Sequence, residues 1–248
     1  MIYDDYLHQA ELQRWVLEAD VAWSRVDVSV ALQQPELLEE VRDSAIIESY
    51  FPLYTTNLVK AIWDQVDATA VFSIQLYESY KHFYALNRYL EIVGYRPLDE
   101  ADIVETRRRN LGNPVPEAIA ELTRYMMSEH FAAYFFMRLS RQAREPVLQQ
   151  IAAWIAKDEV RHAQFAFELL SARLREDPSV SERILEAALR FRHVGADVVE
   201  QVPVAEKNDL GAILSINKKV ERLCGKKMTA HAQDQIRNQM KGLDHATV

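Results

Sequence analysis

Glutamate and histidine residues recur in this sequence at spacings that suit metal binding. Six residues carry the pattern: Glu48, Glu78, His82, Glu129, Glu159 and His162. In each half of the pattern a second glutamate follows the first by 30 residues, and a histidine comes three or four residues later. An offset of three or four residues places two side chains on one face of a helix. The repeat therefore predicts two pairs of helices, each with a lone glutamate on one helix and a glutamate–histidine pair on the other.

These residue types have a known use inside helical bundles. A glutamate from each of two helices and a glutamate–histidine pair from each of the other two can bind two metal ions. Carboxylates neutralise and bridge divalent cations, and imidazole adds a neutral nitrogen ligand that suits iron. Asp158, beside Glu159, is expected to support a ligand imidazole as a neighbouring acid that does not itself bind the metal. We therefore predict two irons per chain, with manganese as the alternative metal and open coordination positions for oxygen.

An ordinary interpretation of the same residues competes with this one. A chain with 37 acidic residues contains Glu-x-x-His by chance, and a charged helix face usually contacts only water. The second motif is flanked by apolar residues on both sides: Ile151, Trp154, Ile155 and Phe165. Such flanks indicate a buried helix, and the equal spacing in the two halves favours a metal site over a solvated face.

The elements that would position these residues are helices. Apolar residues recur every three or four positions, the chain has only 6 glycines and 8 prolines, and no segment suggests a strand pair. We expect helices over about 3–30, 35–63, 67–92, 116–143, 145–175, 180–200 and 206–240. Pro52 should kink or break the second, and 95–116 should form an irregular crossover. This order predicts an all-α four-helix bundle with flanking helices, as one domain over 1–248 with its core at about 36–175 and C-terminal helices at about 180–240.

Composition excludes several other classes of protein. The formal net charge of −8 argues against general nucleic-acid binding. The single cysteine, Cys224, excludes an internal disulfide and a cysteine-ligated zinc or iron–sulfur site. No uninterrupted apolar run approaches about 18 residues, and charged residues come early, so we expect no membrane span, no signal peptide and a cytoplasmic protein.

Three segments of the chain resemble the soluble acyl-acyl carrier protein desaturases. REPVLQQIAAWIAKDEVRHAQFAFELLSARLREDPSV is similar to their second metal-binding helix and the loop after it, and ESYKHFYALNRYLEIVGY to their first histidine-bearing helix. IIESYFPLYTTNLV is similar to the segment that supplies their first glutamate. The likeness extends over roughly residues 45–200, and the Asp158–His162 motif is its specific part.

That resemblance implies a function. Members of the family are ferritin-like bundles, usually homodimers, with a di-iron centre. They use oxygen and electrons from a ferredoxin-type donor to oxidise an acyl chain on acyl carrier protein. The resemblance therefore implies desaturation, or hydroxylation by a similar centre. Acyl carrier proteins are acidic, so the basic runs Arg107–Arg109 and Lys218–Lys227 would suit such a partner, although a solvated helix face is the more common explanation of such runs.

Transferred residue by residue, the resemblance does not supply a full ligand set. Family ligands fall on His82, Glu159 and His162, but also on Ser49, Ser79 and Met126. In one explanation the register has shifted, and Glu48, Glu78 and Glu129 bind metal instead. A slide of one turn from Met126 to Glu129 keeps the helix face, whereas the step from Ser49 to Glu48 turns the side chain by about 100°.

In the other explanation the site is reduced. His82, Glu159 and His162 remain, supported by Glu78 and Asp158 as neighbouring acids. Such a site would hold one metal weakly or none. The chain would then be a catalytically degenerate homologue that acts as a binding or partner subunit.

Overall fold

The computed structural model describes residues 2–108, 117–191 and 210–240, and all regular structure in these ranges is helical. The helices are α1 (Ile2–Gln13), α2 (Leu17–Asp20), α3 (Val28–Ala31), α4 (Pro35–Ala61), α5 (Val66–Val93), α6 (Glu100–Arg108), α7 (Ala118–Gln142), α8 (Pro146–Glu176), α9 (Val180–Leu189), α10 (Leu210–Cys224) and α11 (Ala230–Met240). A 3₁₀ turn lies at Trp23–Arg25. The all-α prediction is confirmed, while the extent of a single domain over 1–248 stays a prediction.

Four long helices form the bundle. α4 packs along α5 and α7 along α8, and contacts of α5 with α8 and of α4 with α7 join the two pairs. α1 lies on α5, α9 lies on α7, and α10 contacts α7, α8 and α9. The predicted plan of a central bundle with flanking helices is thus present. No helix among the described residues combines the length and apolar composition needed to cross a membrane.

Capping residues mark the start of α8 and the end of α5. Glu145 precedes α8 and accepts hydrogen bonds from the backbone N–H groups of Val147 at 3.2 Å and Leu148 at 2.8 Å. Pro146 then occupies the first turn, where a missing N–H costs nothing. α5 ends at Gly94, whose φ of 72° lies in the left-handed region that favours glycine.

The N-terminal segment departs from the sequence prediction. One helix over about 3–30 with a single buried stripe is wrong, because α1 ends at Gln13 and short pieces follow. The Asp20 carboxylate accepts from the Val16 N–H at 2.6 Å and thereby closes a local turn. Leu12 and Val16 are exposed, whereas Trp15 is buried. A prediction from apolar spacing takes no account of such side-chain hydrogen bonds to the backbone, which compete with the helical hydrogen bonds and end the helix.

Three further boundaries differ from expectation. The crossover after α5 contains the helix α6, although residues 109–116 lie outside the described part. α4 continues through Pro52, so the predicted break is absent, while a kink there stays a prediction. The predicted last helix is two helices, because Gly225 takes a φ of 62° between α10 and α11. The predicted continuation of α9 beyond residue 191 also lies outside the described residues.

The basic runs are partly used within the chain. Arg107 donates to the Ser49 carbonyl at 3.0 Å, and Arg108 pairs with Glu105 at 2.8 Å. Arg222 lies 4.9 Å from the ring centre of Phe167. Arg109 lies outside the described residues. Docking of an acidic carrier protein at these runs therefore stays a prediction.

Two apolar clusters fill the bundle. One contains Phe72 of α5 and Phe165 of α8, and the other contains Leu86 of α5 and Ile155 of α8. Between these positions both helices carry buried polar residues. The bundle therefore encloses a polar layer between two apolar ends.

Shortening a core side chain should destabilise this scaffold. Leu86 is fully buried, so Leu86→Ala should lower the free energy of unfolding by about 2–5 kcal/mol, through lost burial and a cavity. Denaturant unfolding measures the change. Leu12 is 72% exposed, so Leu12→Ala should change stability by less than about 0.5 kcal/mol. Equal losses for the two variants would contradict this packing.

Candidate metal centre

Five of the six candidate residues meet in the polar layer. They form two groups of buried ligand atoms that lie within 4.8 Å of one another: Glu48, His82 and Glu159 in one group, and Glu129, Glu159 and His162 in the other. α4, α5, α7 and α8 each supply at least one of them. The four central helices thus present carboxylates and imidazoles at one depth.

Glu159 belongs to both groups. Its Oε1 lies 3.0 Å from His82 Nδ1, and its Oε2 lies 3.1 Å from His162 Nδ1. Glu48 Oε2 is 3.7 Å from His82 Nδ1, and Glu129 Oε2 is 3.1 Å from His162 Nδ1. The two imidazole centres are 6.2 Å apart. One carboxylate therefore stands between two similar half-sites.

The outer nitrogen of each imidazole faces a different carboxylate. His82 Nε2 is 3.0 Å from Asp158 Oδ2, and His162 Nε2 is 2.9 Å from Glu78 Oε2. A proton on each Nε2, donated to its carboxylate, leaves the Nδ1 lone pair directed at Glu159. Imidazole ligands of metals are commonly fixed in this way. Asp158 contacts the outer nitrogen of His82, and its support of a ligand imidazole stays a prediction.

Charged and aromatic side chains surround those outer carboxylates. Arg161 Nη2 donates to Glu78 Oε1 at 2.6 Å and to Asp158 Oδ1 at 2.8 Å. Trp15 Nε1 donates to Asp158 Oδ2 at 2.9 Å, and the Tyr6 hydroxyl donates to Glu78 Oε2 at 3.2 Å. Both outer carboxylates therefore stay charged inside the protein.

The sequence prediction missed most of this outer layer. Trp15 and Tyr6 come from the N-terminal segment, whose contacts with α5 and α8 leave no local signal. Arg161 and Lys81 did have a recognisable sequence signal, because each lies immediately before a histidine of the repeat. A basic residue at the same place in both halves could have marked these positions.

Met126, Ser49 and Ser79 stand where the desaturase family has metal ligands, and the structure shows where each of them lies. Met126 is fully buried in an apolar cluster, and Glu129, one turn later, lies in the centre. Ser49 donates its hydroxyl to the Ile46 carbonyl at 2.7 Å, while Glu48 belongs to the first group. Ser79 is buried on α5, three residues before His82.

Glu78, the sixth predicted ligand, has a different place from the other five. It contacts the outer nitrogen of His162 and the Arg161 guanidinium, and it belongs to neither ligand group. Metal binding by Glu78 therefore stays a prediction, and the contacts suit a supporting carboxylate.

The electrostatics of the layer favour bound cations. Burial raises the pKa of Glu48 and Glu129, and the charge of Glu159 raises both further. Burial opposes the charge of Glu159, but a hydrogen bond with Glu129 and the charge of His162 outweigh it and hold its pKa well below the usual range. Burial lowers the pKa of His82 and His162, yet the surrounding hydrogen bonds and charges hold both well above their usual range. Without metal, protons fill this cluster.

Two buried atoms of the cluster suit a metal in particular. His82 Nδ1 and Glu159 Oε1 lie 3.0 Å apart, but within the described parts of the chain neither atom has a partner with the geometry of a hydrogen bond. Buried polar atoms without partners are costly, whereas a cation between them would satisfy both. Three carboxylates with two imidazoles form an oxygen-rich donor set that suits iron or manganese. The residues present therefore fit a pair of divalent transition metals.

The pKa shifts predict opposite pH responses for the metal-free and metal-loaded chain. Glu48, Glu129, His82 and His162 have raised pKa values, so their stabilisation is present below the unfolded pKa and is lost as pH rises through the folded pKa. The metal-free melting temperature should therefore fall as pH rises from about 6.5. Metal requires deprotonated ligands, so stabilisation by metal should grow over the same range.

Melting curves with Mn²⁺ and with EDTA, recorded from about pH 6 to 8, measure both responses. The difference in melting temperature between the two should widen with rising pH. Glu159→Ala serves as the control, since it should show no difference at any pH. A difference that narrows with rising pH would contradict metal binding by these groups.

Comparison with known proteins shows the fold. The R2-like ligand-binding oxidase from Sulfolobus acidocaldarius matches with a TM-score of 0.63 and 16% identity, over 95% of this chain and 94% of that one. An R2-like ligand-binding oxidase with an aerobically reconstituted metal cofactor matches with a TM-score of 0.53 and 13% identity, over 99% and 94%. No protein-family model and no curated protein matches the sequence. The predicted ferritin-like helical fold is confirmed, while membership of the desaturase family is not shown.

Proposed function

We propose that this chain binds two divalent metal ions, iron in the first instance, and uses them in an oxidation by molecular oxygen. The placement of Glu159 carries the proposal, because its two oxygens face the Nδ1 atoms of His82 and His162. Glu48 completes one ligand group and Glu129 the other. The metal cofactor and the oxidase activity named for the proteins of similar fold support the same class.

The residues of the chain prepare the site for this chemistry. A pair of bound iron ions would supply activation of oxygen and removal of hydrogen from an unactivated C–H bond. Glu48, Glu129 and Glu159 offset the positive charge, and Asp158 and Glu78 hold the Nε2 protons of the imidazoles. The apolar clusters on both sides keep bulk water away, which strengthens the electrostatic interactions inside.

For the substrate we propose an acyl chain or a related carrier-bound molecule. A groove of about 410 Å³ lies between α1, α7 and α8; it is lined by the apolar residues Met137, Ala153, Ala156 and Val160 and by the polar residues Gln13, Ser140, Arg141 and Lys157. That volume is within the range of small-molecule sites. The remaining parts of the proposal rest on the desaturase resemblance. The reaction would be desaturation or hydroxylation, the partners would be acyl carrier protein and a ferredoxin-type electron donor, and the chain would form a homodimer.

Metal content and oxygen consumption test the proposal. Protein from iron-supplemented medium should carry about two irons per chain, and the reduced protein should consume oxygen. Candidate acyl substrates are then supplied, and a mass loss of two hydrogens or gain of one oxygen identifies the reaction. Iron-loaded protein that consumes no oxygen would refute the oxidase function.

A second candidate is the degenerate homologue that acts as a binding or partner subunit. Ser79 favours it, because the repeat places Ser79 where the second half has Glu159, each three residues before a histidine. The first half thus lacks one carboxylate. Less than about 0.3 iron per chain after reconstitution would support this candidate over the oxidase.

A further inference from the structure

The two histidine helices support each other crosswise. Glu78 on α5 holds the outer nitrogen of His162 on α8, and Asp158 on α8 holds the outer nitrogen of His82 on α5. Glu78 lies four residues before its own histidine, and Asp158 likewise. The two supporting carboxylates are therefore equivalent in the internal repeat.

One guanidinium connects both supports. Arg161 is 6% exposed, and its Nη2 donates to Glu78 Oε1 at 2.6 Å and to Asp158 Oδ1 at 2.8 Å. The other oxygen of each carboxylate faces an imidazole. A continuous polar chain therefore runs from His82 through Asp158, Arg161 and Glu78 to His162.

The two carboxylates in this series of polar contacts, Asp158 and Glu78, depend on Arg161 to different degrees. Asp158 also accepts from Trp15 Nε1 at 2.9 Å and lies 3.8 Å from Lys81 Nζ. Within the described residues, Glu78 has only the Tyr6 hydroxyl besides Arg161 and His162, at 3.2 Å. Without Arg161, Asp158 would keep a cation nearby, whereas Glu78 would be a buried carboxylate without its charged partner.

We infer that Arg161 is a positioning residue for His162, acting through Glu78, and that it controls the half-site of Glu129, Glu159 and His162 more strongly than the half-site of Glu48, His82 and Glu159. The inference rests on the proposed function, since it concerns two metal positions. Removal of a supporting group of a metal ligand commonly costs 10–100-fold in affinity. Loss of Arg161 should therefore weaken one metal and largely spare the other.

Titration of the metal-free protein with Mn²⁺, followed by the EPR signal of free Mn²⁺, resolves the two positions. Wild type should bind two equivalents. In Arg161→Gln one equivalent should weaken by about 10–100-fold, and Glu78→Gln, which keeps the side-chain size, should do the same. The double variant should be no worse than either single variant, because the two residues act through one path. Arg161→Lys should restore part of the loss.

Matched controls separate positioning from general destabilisation. Arg138 pairs with Glu40 at 2.9 Å between α7 and α4, so Arg138→Gln removes a comparable ion pair remote from the centre and should leave both equivalents unchanged. Lys81→Gln should also leave both equivalents close to wild type, because Asp158 keeps Arg161 at 2.8 Å and Trp15 Nε1 at 2.9 Å. If Arg161→Gln does not fold, Arg161→Lys takes its place and should weaken the same single equivalent as Glu78→Gln, by a smaller factor.

Three results would contradict these proposals, and they can be told apart. Wild type that binds fewer than two Mn²⁺ would overturn the proposed function. Wild type with two bound Mn²⁺, together with Arg161→Gln or Glu78→Gln that retains both at wild-type affinity, would overturn only the role of Arg161. Equal weakening of both equivalents would also overturn it, because the inference requires an unequal effect.

Discussion

Glu159→Ala is expected to remove both metal ions from the chain. Its carboxylate is the one group shared by the two ligand sets, so its loss leaves each set with a single carboxylate and a single imidazole. Two ligands bind iron far more weakly than three. The iron content should fall from about two per chain to below about 0.3, as measured by elemental analysis after reconstitution and desalting.

Variants of single-set residues provide the contrast. Glu129→Ala removes a ligand from one set only, so it should reduce the content to about one iron per chain. Glu168→Ala, at an exposed position on the same helix as Glu159, should leave two. If Glu159→Ala retains one full equivalent, Glu159 does not serve both positions and the two sets are independent.

Ser79→Glu is expected to strengthen metal binding while it destabilises the metal-free chain. Ser79 is 1% exposed and lies on the His82 face of α5, where the repeat calls for a second carboxylate. An added anionic ligand should tighten binding of the metal pair by about ten-fold or more. Without metal the same carboxylate is buried beside other acids, so the melting temperature of the metal-free variant should fall.

Two controls isolate the effect of charge at this position. Ser79→Gln adds the same bulk without the charge and should not tighten binding. Ser73→Glu adds the charge at an exposed position on α5 and should change neither affinity nor melting temperature. Calorimetric titration with Mn²⁺ gives the affinities. Weaker binding by Ser79→Glu than by Ser79→Gln would show that this position does not face the metals.

The bundle could be predicted because long helices carry a strong periodic signal. Glu145 with Pro146 marks the start of α8, and Gly94 marks the end of α5; both boundaries lie within a residue or two of prediction. The N-terminal segment was mispredicted because its apolar residues contact other elements rather than forming one helix face. Trp15 is buried against Trp154, with ring centres 5.3 Å apart, and this contact has no trace in local spacing.

The ligand cluster could also be anticipated from spacing, but the exact role of each acid could not. Glu78 and Glu48 have the same separation as Glu159 and Glu129, so spacing treats Glu78 as the equivalent of Glu159. Measured from the histidines instead, Glu78 is the equivalent of Asp158, and the contacts follow this second alignment. The sequence offers both alignments, and only the packing of α5 against α8 separates them.

The crosswise support of the two imidazoles also constrains how this protein can evolve. The outer nitrogen of each histidine contacts an acid on the opposite helix. The effect of a substitution at position 78 would therefore be compensated most readily by a second substitution at 161 or 162 on α8, and not by one nearby on α5. We therefore expect positions 78 and 161 to vary together among descendants of this sequence, and we expect the same of positions 158 and 81. A descendant in which only one residue of such a pair is substituted should keep the helical fold but lose metal binding at its centre.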